Sequence, residues 1–245
     1  MQQLADDAGV IALKYFQSST LSIETKSDAS PVTEADEKAE AVILAALKKI
    51  APDIPIISEE AAAAGHIPKV DQRFWLVDPL DGTKEFISRN GEFTVNIALI
   101  ENGLPAMGVV LAPALNRLFA GIAGEGAFVE DNGARRAIRC RKIPAEGLTV
   151  VSSRSHGDAA ALDAFLAGRK VASSVNSGSS LKLCLVAAGE ADLYPRLGRT
   201  MEWDIAAGHA VVRAAGGNVR TLEGNELGYG KKGLDNPHFV TSGLE

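Results

Sequence analysis

The sequence predicts a mixed α/β protein, helical at its start, strand-rich through its middle and alternating in its second half. Three observations predict it. Apolar residues recur twice at helical spacing before Pro52. Short β-like runs separated by Gly-containing turns fill the stretch from 54 to about 141. From 148 onward, strand-like and helix-like segments take turns, the pattern of an α/β layer.

The elements follow in order. Leu4, Ala8, Ile11, Ala12 and Tyr15 predict a first helix, and the polar run Ser27-Asp-Ala-Ser-Pro31 a loop after it. Ala39, Val42, Ile43, Ala46, Leu47 and Ile50 predict a second helix that stops before Pro52. Strands are predicted at 54–57, 74–77, 93–100, 107–111 and 118–122, with turns at Asn102-Gly103 and Asp131-Asn132-Gly133, in the manner of a meander. The second half reads as a strand at 148–152, helices at 158–166 and 181–188, and a short strand at 192–195. A helix at 204–215 then ends at Gly216-Gly217, and a strand follows at 218–222. A boundary is placed near residue 140, dividing an α+β part (1–140) from an α/β part (141–245) without a flexible linker.

Composition excludes several classes. The chain has 245 residues, enough for one large or two small domains with a buried core. At 46% hydrophobic and 23% charged it is an ordinary globular sequence, neither collagenous nor disordered. No apolar stretch approaches the roughly 20 residues of a membrane span. The first residues carry acid where an export signal needs base. Two cysteines, Cys140 and Cys184, make neither a disulfide scaffold nor a cysteine zinc site, and fit a reducing cytoplasm. A net charge of −6 without a basic run argues against binding a nucleic-acid polymer. A small phosphate substrate fits only where something cancels the local negative charge.

The chemistry concentrates where predicted elements end in acids. In Trp75-Leu-Val-Asp-Pro-Leu-Asp-Gly-Thr-Lys84 an apolar strand runs into Asp78 and Asp81, three residues apart, with Pro79 to stiffen the chain and Gly82 to turn it. A helix starting near Thr83 would aim free N–H groups at an anion, and paired acids suit hard divalent cations. A polar turn, with Asp78 capping and Asp81 solvated, accounts for the same residues. Ile56-Ile-Ser-Glu-Glu60 is a second apolar run ending in acids, or a plain solvated strand end. Thr33 and Asp36 have capping-box spacing at the second helix, and Asp204 reads as the N-cap of the helix it opens.

Other catalytic sets are missing. There is no His-Glu-x-x-His, no Gly-x-Ser-x-Gly, and no Gly-x-x-x-x-Gly-Lys loop. The strand–Asp–x–Asp–Gly–Thr pattern of aspartyl-phosphate phosphatases is a near miss, because its acids lie two apart and these lie three apart.

Taken together, Pro31-Val-Thr-Glu-Ala-Asp36, Ser58-Glu-Glu60, Asp78-Pro-Leu-Asp-Gly-Thr83 and Trp203-Asp-Ile-Ala-Ala-Gly208 resemble the signatures of the inositol monophosphatase superfamily, in order across nearly the whole chain. The run Thr83-Lys-Glu-Phe-Ile, then Arg89 to Ala98, resembles the 3′(2′),5′-bisphosphate nucleotidase branch, as do Ser152 to His156, Gly178 to Lys182 and Leu193 to Arg196. The resemblance implies a layered αβαβα sandwich, shared with fructose-1,6-bisphosphatase, and a lithium-sensitive phosphomonoesterase with two or three Mg²⁺. It implies metal ligands at Glu59, Asp78, Asp81 and Asp204 and the Leu80 carbonyl. Asp36 and Thr83 would activate the water, with Glu59 also catalytic. Substrate would meet Gly82, Thr83, His156, Ser179, Lys182, Arg196 and Asp204. The implied substrate is adenosine 3′,5′-bisphosphate, and with it its sulfated form; an inositol monophosphatase or another small sugar-phosphate phosphatase is the alternative, and a phosphate or nucleotide sensor without catalysis is the reading from another class. A cytoplasmic monomer or homodimer is expected, free or peripherally at the inner membrane.

The physics agrees with such a site. Two carboxylates about 4 Å apart repel by roughly 4 kcal/mol at an effective dielectric near 20, so four together stay partly protonated unless cations join them.

Overall fold

The computed structural model describes residues 1–18, 23–25, 31–154 and 159–244. The first half begins with α1 (Gln2–Phe16), β1 (Ile23–Thr25), β2 (Pro31–Thr33), α2 (Glu34–Ile50), β3 (Ile56–Ser58) and α3 (Glu59–Ala63). It continues with β4 (Arg73–Asp81), α4 (Thr83–Ile87), β5 (Thr94–Glu101), β6 (Leu104–Ala112), β7 (Arg117–Ile122), β8 (Gly126–Asp131) and β9 (Ala134–Ile138). Then come β10 (Leu148–Ser153), α5 (Ala159–Leu166), β11 (Val171–Ser177), α6 (Leu181–Ala187), β12 (Leu193–Arg196), α7 (Glu202–Ala214), β13 (Asn218–Thr221) and β14 (Phe239–Ser242). The polar loop expected at 27–31 lies, apart from Pro31, outside the described residues. No helix among the described residues is long and apolar enough to cross a membrane.

β3 to β9 form a seven-stranded sheet in sequence order, antiparallel except for the β3–β4 pair. A five-stranded sheet has the order β11-β10-β12-β14-β13, with β10 parallel to both its neighbours. Strand alternation decides which side chains face which layer. Trp75, Val77, Val95, Ile97 and Leu99 pack against Leu4, Ala8, Ile43 and Leu47 of α1 and α2. Phe74, Leu76, Ala98, Ile100, Val110 and Phe119 point the other way, into a core shared with α6 and α7 and with Tyr194 and Phe239 of the second sheet. Leu162, Phe165 and Leu166 of α5 cover Leu148, Val150 and Leu193 on that sheet's outer face. The layers are therefore helix, sheet, helix, sheet, helix, as the resemblance implied.

Helix α7 lies so close to the large sheet that two strand positions admit no side chain. A Cβ on Gly108 would stand 2.6 Å from the Ala207 carbonyl oxygen, and one on Gly121 would stand 2.8 Å from Ala214 Cβ. Gly108→Ala is expected to destabilise the protein by about 1–3 kcal/mol, as core overpacking does, and a urea titration followed by tryptophan fluorescence measures it.

The structure adds what periodicity did not reveal. β8, β9, β11 and β14 complete the sheets, β1 pairs with β2, and the five-residue helices α3 and α4 follow the acid-bearing strand ends. Arg196 is the last residue of β12 rather than one beyond it.

Candidate active site

β4 carries its apolar run straight into the acids. By alternation Asp78 follows Phe74 and Leu76 on the face turned toward α7, and it is almost wholly buried. The pairing with β5 is regular from Arg73 to Asp78 and breaks before Asp81, which lies opposite Thr94. That irregularity swings the chain around Pro79, and the Leu80 N–H closes back onto Asp78 Oδ1 at 3.0 Å. Gly82 then adopts φ +88°, a left-handed conformation suited to glycine, and α4 begins at Thr83. Asp81 is not simply solvated, since its Oδ2 accepts the Ser180 N–H at 2.6 Å and the Ser180 hydroxyl at 3.0 Å.

Glu59 and Asp204 reach the same place from other elements. β3 runs parallel to β4 with Ser58 opposite Val77, so Glu59 emerges beside Asp78. Glu40, from α2, fixes that exit: its carboxylate accepts the Ser58 hydroxyl (2.6 Å) and the Glu60 and Ala61 N–H groups (2.9 and 3.0 Å). Asp204 is not the N-cap of α7. Met201 occupies that position, and Asp204, third in the helix, accepts the Met201 N–H on Oδ2 at 2.9 Å. Glu202, fully buried, accepts the Gly230 and Lys231 N–H groups (2.8 and 2.9 Å) and pairs with Lys231 Nζ at 2.7 Å. It thereby holds the loop that brings Gly233 and Leu234 to the cleft.

Burial and neighbouring negative charge raise three of these acids, Asp78, Asp81 and Asp204. Burial, and then the charges of Glu59, Asp81 and Asp204, holds the Asp78 carboxyl well above the usual carboxylate range. Burial with the charges of Asp81 and Glu59 does the same to Asp204. At Asp81 burial outweighs the opposing pull of Lys182 and Ser180, and its carboxyl is also raised. Backbone N–H groups hold one oxygen each of Asp78, Asp81 and Asp204. Among the described residues, no three such side chains close into a ready cation cage as they stand. The donors are nevertheless acidic oxygens throughout, with no His or Cys among the described residues lining the cleft. That chemistry fits a hard divalent cation, Mg²⁺ above softer metals.

Thr33 and Asp36 do form the capping box. Asp36 Oδ2 accepts from the Thr33 N–H at 2.8 Å and from its hydroxyl at 2.6 Å, while the Ala35 N–H bonds Thr33 Oγ1 at 3.2 Å. The capping does not exhaust the group, because Asp36 Oδ1 stands 3.5 Å from the Thr83 hydroxyl. The same hydroxyl lies 3.4 Å from the Leu80 carbonyl oxygen.

A cleft of about 580 Å³ opens over these residues, lined by Glu59, Asp81 and Asp204 and also by Lys182 and Arg196. Lys182 is almost wholly buried, its Nζ bonded to the Ser179 carbonyl and lying 5.5 Å from the centre of the Tyr194 ring. Burial, against the pull of Asp81, lowers its pKa to about 8. Among the described residues, Ser179 Oγ and Arg196 Nε are buried without a hydrogen-bond partner, although Arg196 Nη2 donates to the Arg199 carbonyl at 2.9 Å. His156 lies outside the described residues. Of the residues expected to act, the structure thus gathers Asp36, Glu59, Asp78, Leu80, Asp81, Gly82, Thr83, Ser179, Lys182, Arg196 and Asp204 around one opening. Sequence reasoning missed Glu40, Ser180 and Glu202. The only signal that could have found them is an acid or hydroxyl beside a motif, which is too common to stand out.

This geometry has relatives. A 3′(2′),5′-bisphosphate nucleotidase CysQ of Shigella flexneri is 48% identical over 242 residues, covering 98% of this chain and 97% of its own. The Nus factor SuhB of Xylella fastidiosa is 35% identical, with 91% and 81% covered. Among solved structures, a CysQ from Bacteroides thetaiotaomicron superposes with a TM-score of 0.82 at 37% identity, covering 99% of this chain and 97% of that one. A Thermotoga maritima IMPase superposes at 0.79 with 30% identity, covering 98% and 89%. The model of the inositol monophosphatase family matches residues 1–242. With the acid-ended strands, the five layers and this match in agreement, the chain belongs to the inositol monophosphatase family.

Proposed function

We propose that this protein is a Mg²⁺-dependent 3′(2′),5′-bisphosphate nucleotidase that hydrolyses the 3′-phosphate of adenosine 3′,5′-bisphosphate to give AMP. The observation that carries this is the mixed lining of the cleft: mutually repelling acids share one opening with buried cationic and unpartnered polar groups. Full-length similarity to bisphosphate nucleotidases supports the choice of substrate. In this reading residues 1–140 supply Glu59, Asp78, Asp81 and the Leu80 carbonyl as ligands for two or three ions. Residues 141–245 add Asp204 and the groups that bind the nucleotide. The cytoplasm, where such nucleotides are recycled, is the proposed location.

Bound Mg²⁺ supplies charge neutralisation, a seat for the phosphate oxygens and a lower pKa for an attacking water. The chain's own groups do the rest. The Thr83 hydroxyl, its proton directed to Asp36 Oδ1, offers a lone pair to the water in line with the scissile P–O bond. Both bonds at Thr83 are long, as catalytic hydrogen bonds often are before substrate binds. Lys182, Arg196 and Ser179 hold the 5′-phosphate and nucleoside away from the acids. Gly82, packed against Ser179 with no side chain of its own, keeps the approach open.

The test is phosphate release from adenosine 3′,5′-bisphosphate, its sulfated form, inositol 1-phosphate and fructose 1,6-bisphosphate, each with Mg²⁺. The nucleoside bisphosphate is expected to have the highest kcat/KM, and a preference for inositol 1-phosphate would overturn the assignment. Lys182→Ala should raise KM for the bisphosphate with a smaller change in kcat, the mark of lost uniform binding. Since Lys182 loses its charge as pH rises through about 8, the wild-type KM should climb above that pH. A Lys182→Arg enzyme should not show the climb, because arginine stays protonated.

A further inference from the structure

Ser180 has no place in the reaction described above, yet it touches two of the four acidic segments. Its N–H and its hydroxyl both approach Asp81 Oδ2, at 2.6 and 3.0 Å. The hydroxyl also lies 3.1 Å from the backbone carbonyl oxygen of Asp204. Thr94 Oγ1 and Asn96 Nδ2 approach the same Asp81 oxygen, each at 3.4 Å. Donors therefore crowd Oδ2 and leave Oδ1 as the oxygen that can face a cation. Ser180 is itself almost wholly buried, and its turn is clamped from below. Gly178 N–H donates to Glu92 Oε2 at 2.9 Å, and Glu92 is held by Arg154 through two bonds of 2.9 Å. The turn sits so near that a Cβ on Gly178 would be 2.7 Å from Glu85 Cγ.

We infer that Ser180 is a positioning residue for the metal centre: it holds Asp81 to one-oxygen ligation through Oδ1 and ties that carboxylate to the start of α7, where Asp204 sits. The inference rests on the reading of Asp81 and Asp204 as metal ligands. Its chemistry is that of outer partners that orient ligands, whose removal typically weakens metal binding about 10–100-fold. Ser180→Ala keeps the backbone donor and removes the hydroxyl, so the lower end of that range applies.

Binding of Mn²⁺ alone, followed by electron paramagnetic resonance without substrate, is the direct measurement. Ser180→Ala is expected to bind Mn²⁺ roughly tenfold more weakly and to need correspondingly more Mg²⁺ for half-maximal activity, with KM for substrate at saturating Mg²⁺ little changed. Ser180→Thr, which keeps the hydroxyl, should retain near-wild-type affinity. Wild-type Mn²⁺ affinity in Ser180→Ala, or equal losses in both variants, would overturn the inference while leaving the metal site standing. So would a Ser180→Ala chain that no longer folds by circular dichroism, because the role assigned is the local placement of one carboxylate. A wild-type protein that binds no Mn²⁺ would overturn the ligand reading itself, and the role of Ser180 with it.

Discussion

Thr83→Ala is expected to lower turnover of adenosine 3′,5′-bisphosphate by about 10²–10⁴-fold with the fold intact, the usual scale for losing a group that positions a proton. The side chain is half-buried at the first turn of α4, and its hydroxyl contacts only Asp36 and the Leu80 carbonyl among the bonds described. Its loss therefore leaves the capping box of α2 untouched. Asp36→Asn is the harder case. It should cut turnover on a similar scale and also disturb the box, because Oδ2 accepts from both the N–H and the hydroxyl of Thr33. A capping loss amounts to about 0.5–2 kcal/mol, so the two effects separate when kcat and unfolding free energy are measured on the same preparation. Normal turnover in a well-folded Thr83→Ala enzyme would reduce the pair to a helix cap.

The second large effect concerns the acids together. Activity should fall to background in chelator and return with Mg²⁺, while excess Ca²⁺ should inhibit because its looser coordination misplaces the attacking water. Asp81→Asn sharpens the test. Ser180 would still hold the side-chain oxygen of the new amide, whose nitrogen would then replace Oδ1 and present hydrogens where a ligand is needed. Loss of a charged ligand should weaken Mg²⁺ binding by more than the roughly 10–100-fold typical of outer partners. Stability should move oppositely. The Asp81 carboxyl is raised by burial, so its ionised form costs folding energy at neutral pH, and the neutral amide relieves that cost. In chelator the variant should melt above wild type, and with Mg²⁺ it should melt below it. Full turnover after thorough metal removal would sink the metal mechanism.

The strands that were legible in the sequence are those buried on both faces or alternating cleanly, such as β4 and β5, where hydrophobic period and position agree. β9 was not, because four of its five residues are exposed and two are arginines. β11, exposed along nearly its whole length, reads as a small-residue loop. The five-residue helices α3 and α4 are shorter than two helical turns and show no period. At the site, Glu59, Asp78 and Asp81 stood out because they end apolar runs, and Asp36, Thr83 and Asp204 because they sit at predicted helix starts. Their supports did not, since Ser180 meets Asp81 across 99 positions of chain and Glu40 meets Ser58 across 18. No local pattern announces a pairing made by the fold.

The close seating of α7 on the large sheet bears on how the chain is made. All seven strands of that sheet have been synthesised by Ile138, but the helix that covers their second face begins only at Glu202. Until then Ile100, Val110 and Phe119 lack their α7 partners, and the narrow bed kept by Gly108 and Gly121 stays empty of Ala207 and Ala214. A nascent chain halted between those points carries a broad apolar surface of the kind that promotes aggregation and recruits chaperones. It also carries three of the four acids without Asp204. Emergence of α7 thus covers that face and adds the last of the four acids through the same helix, which makes recovery of activity on refolding a report on completion of the whole core.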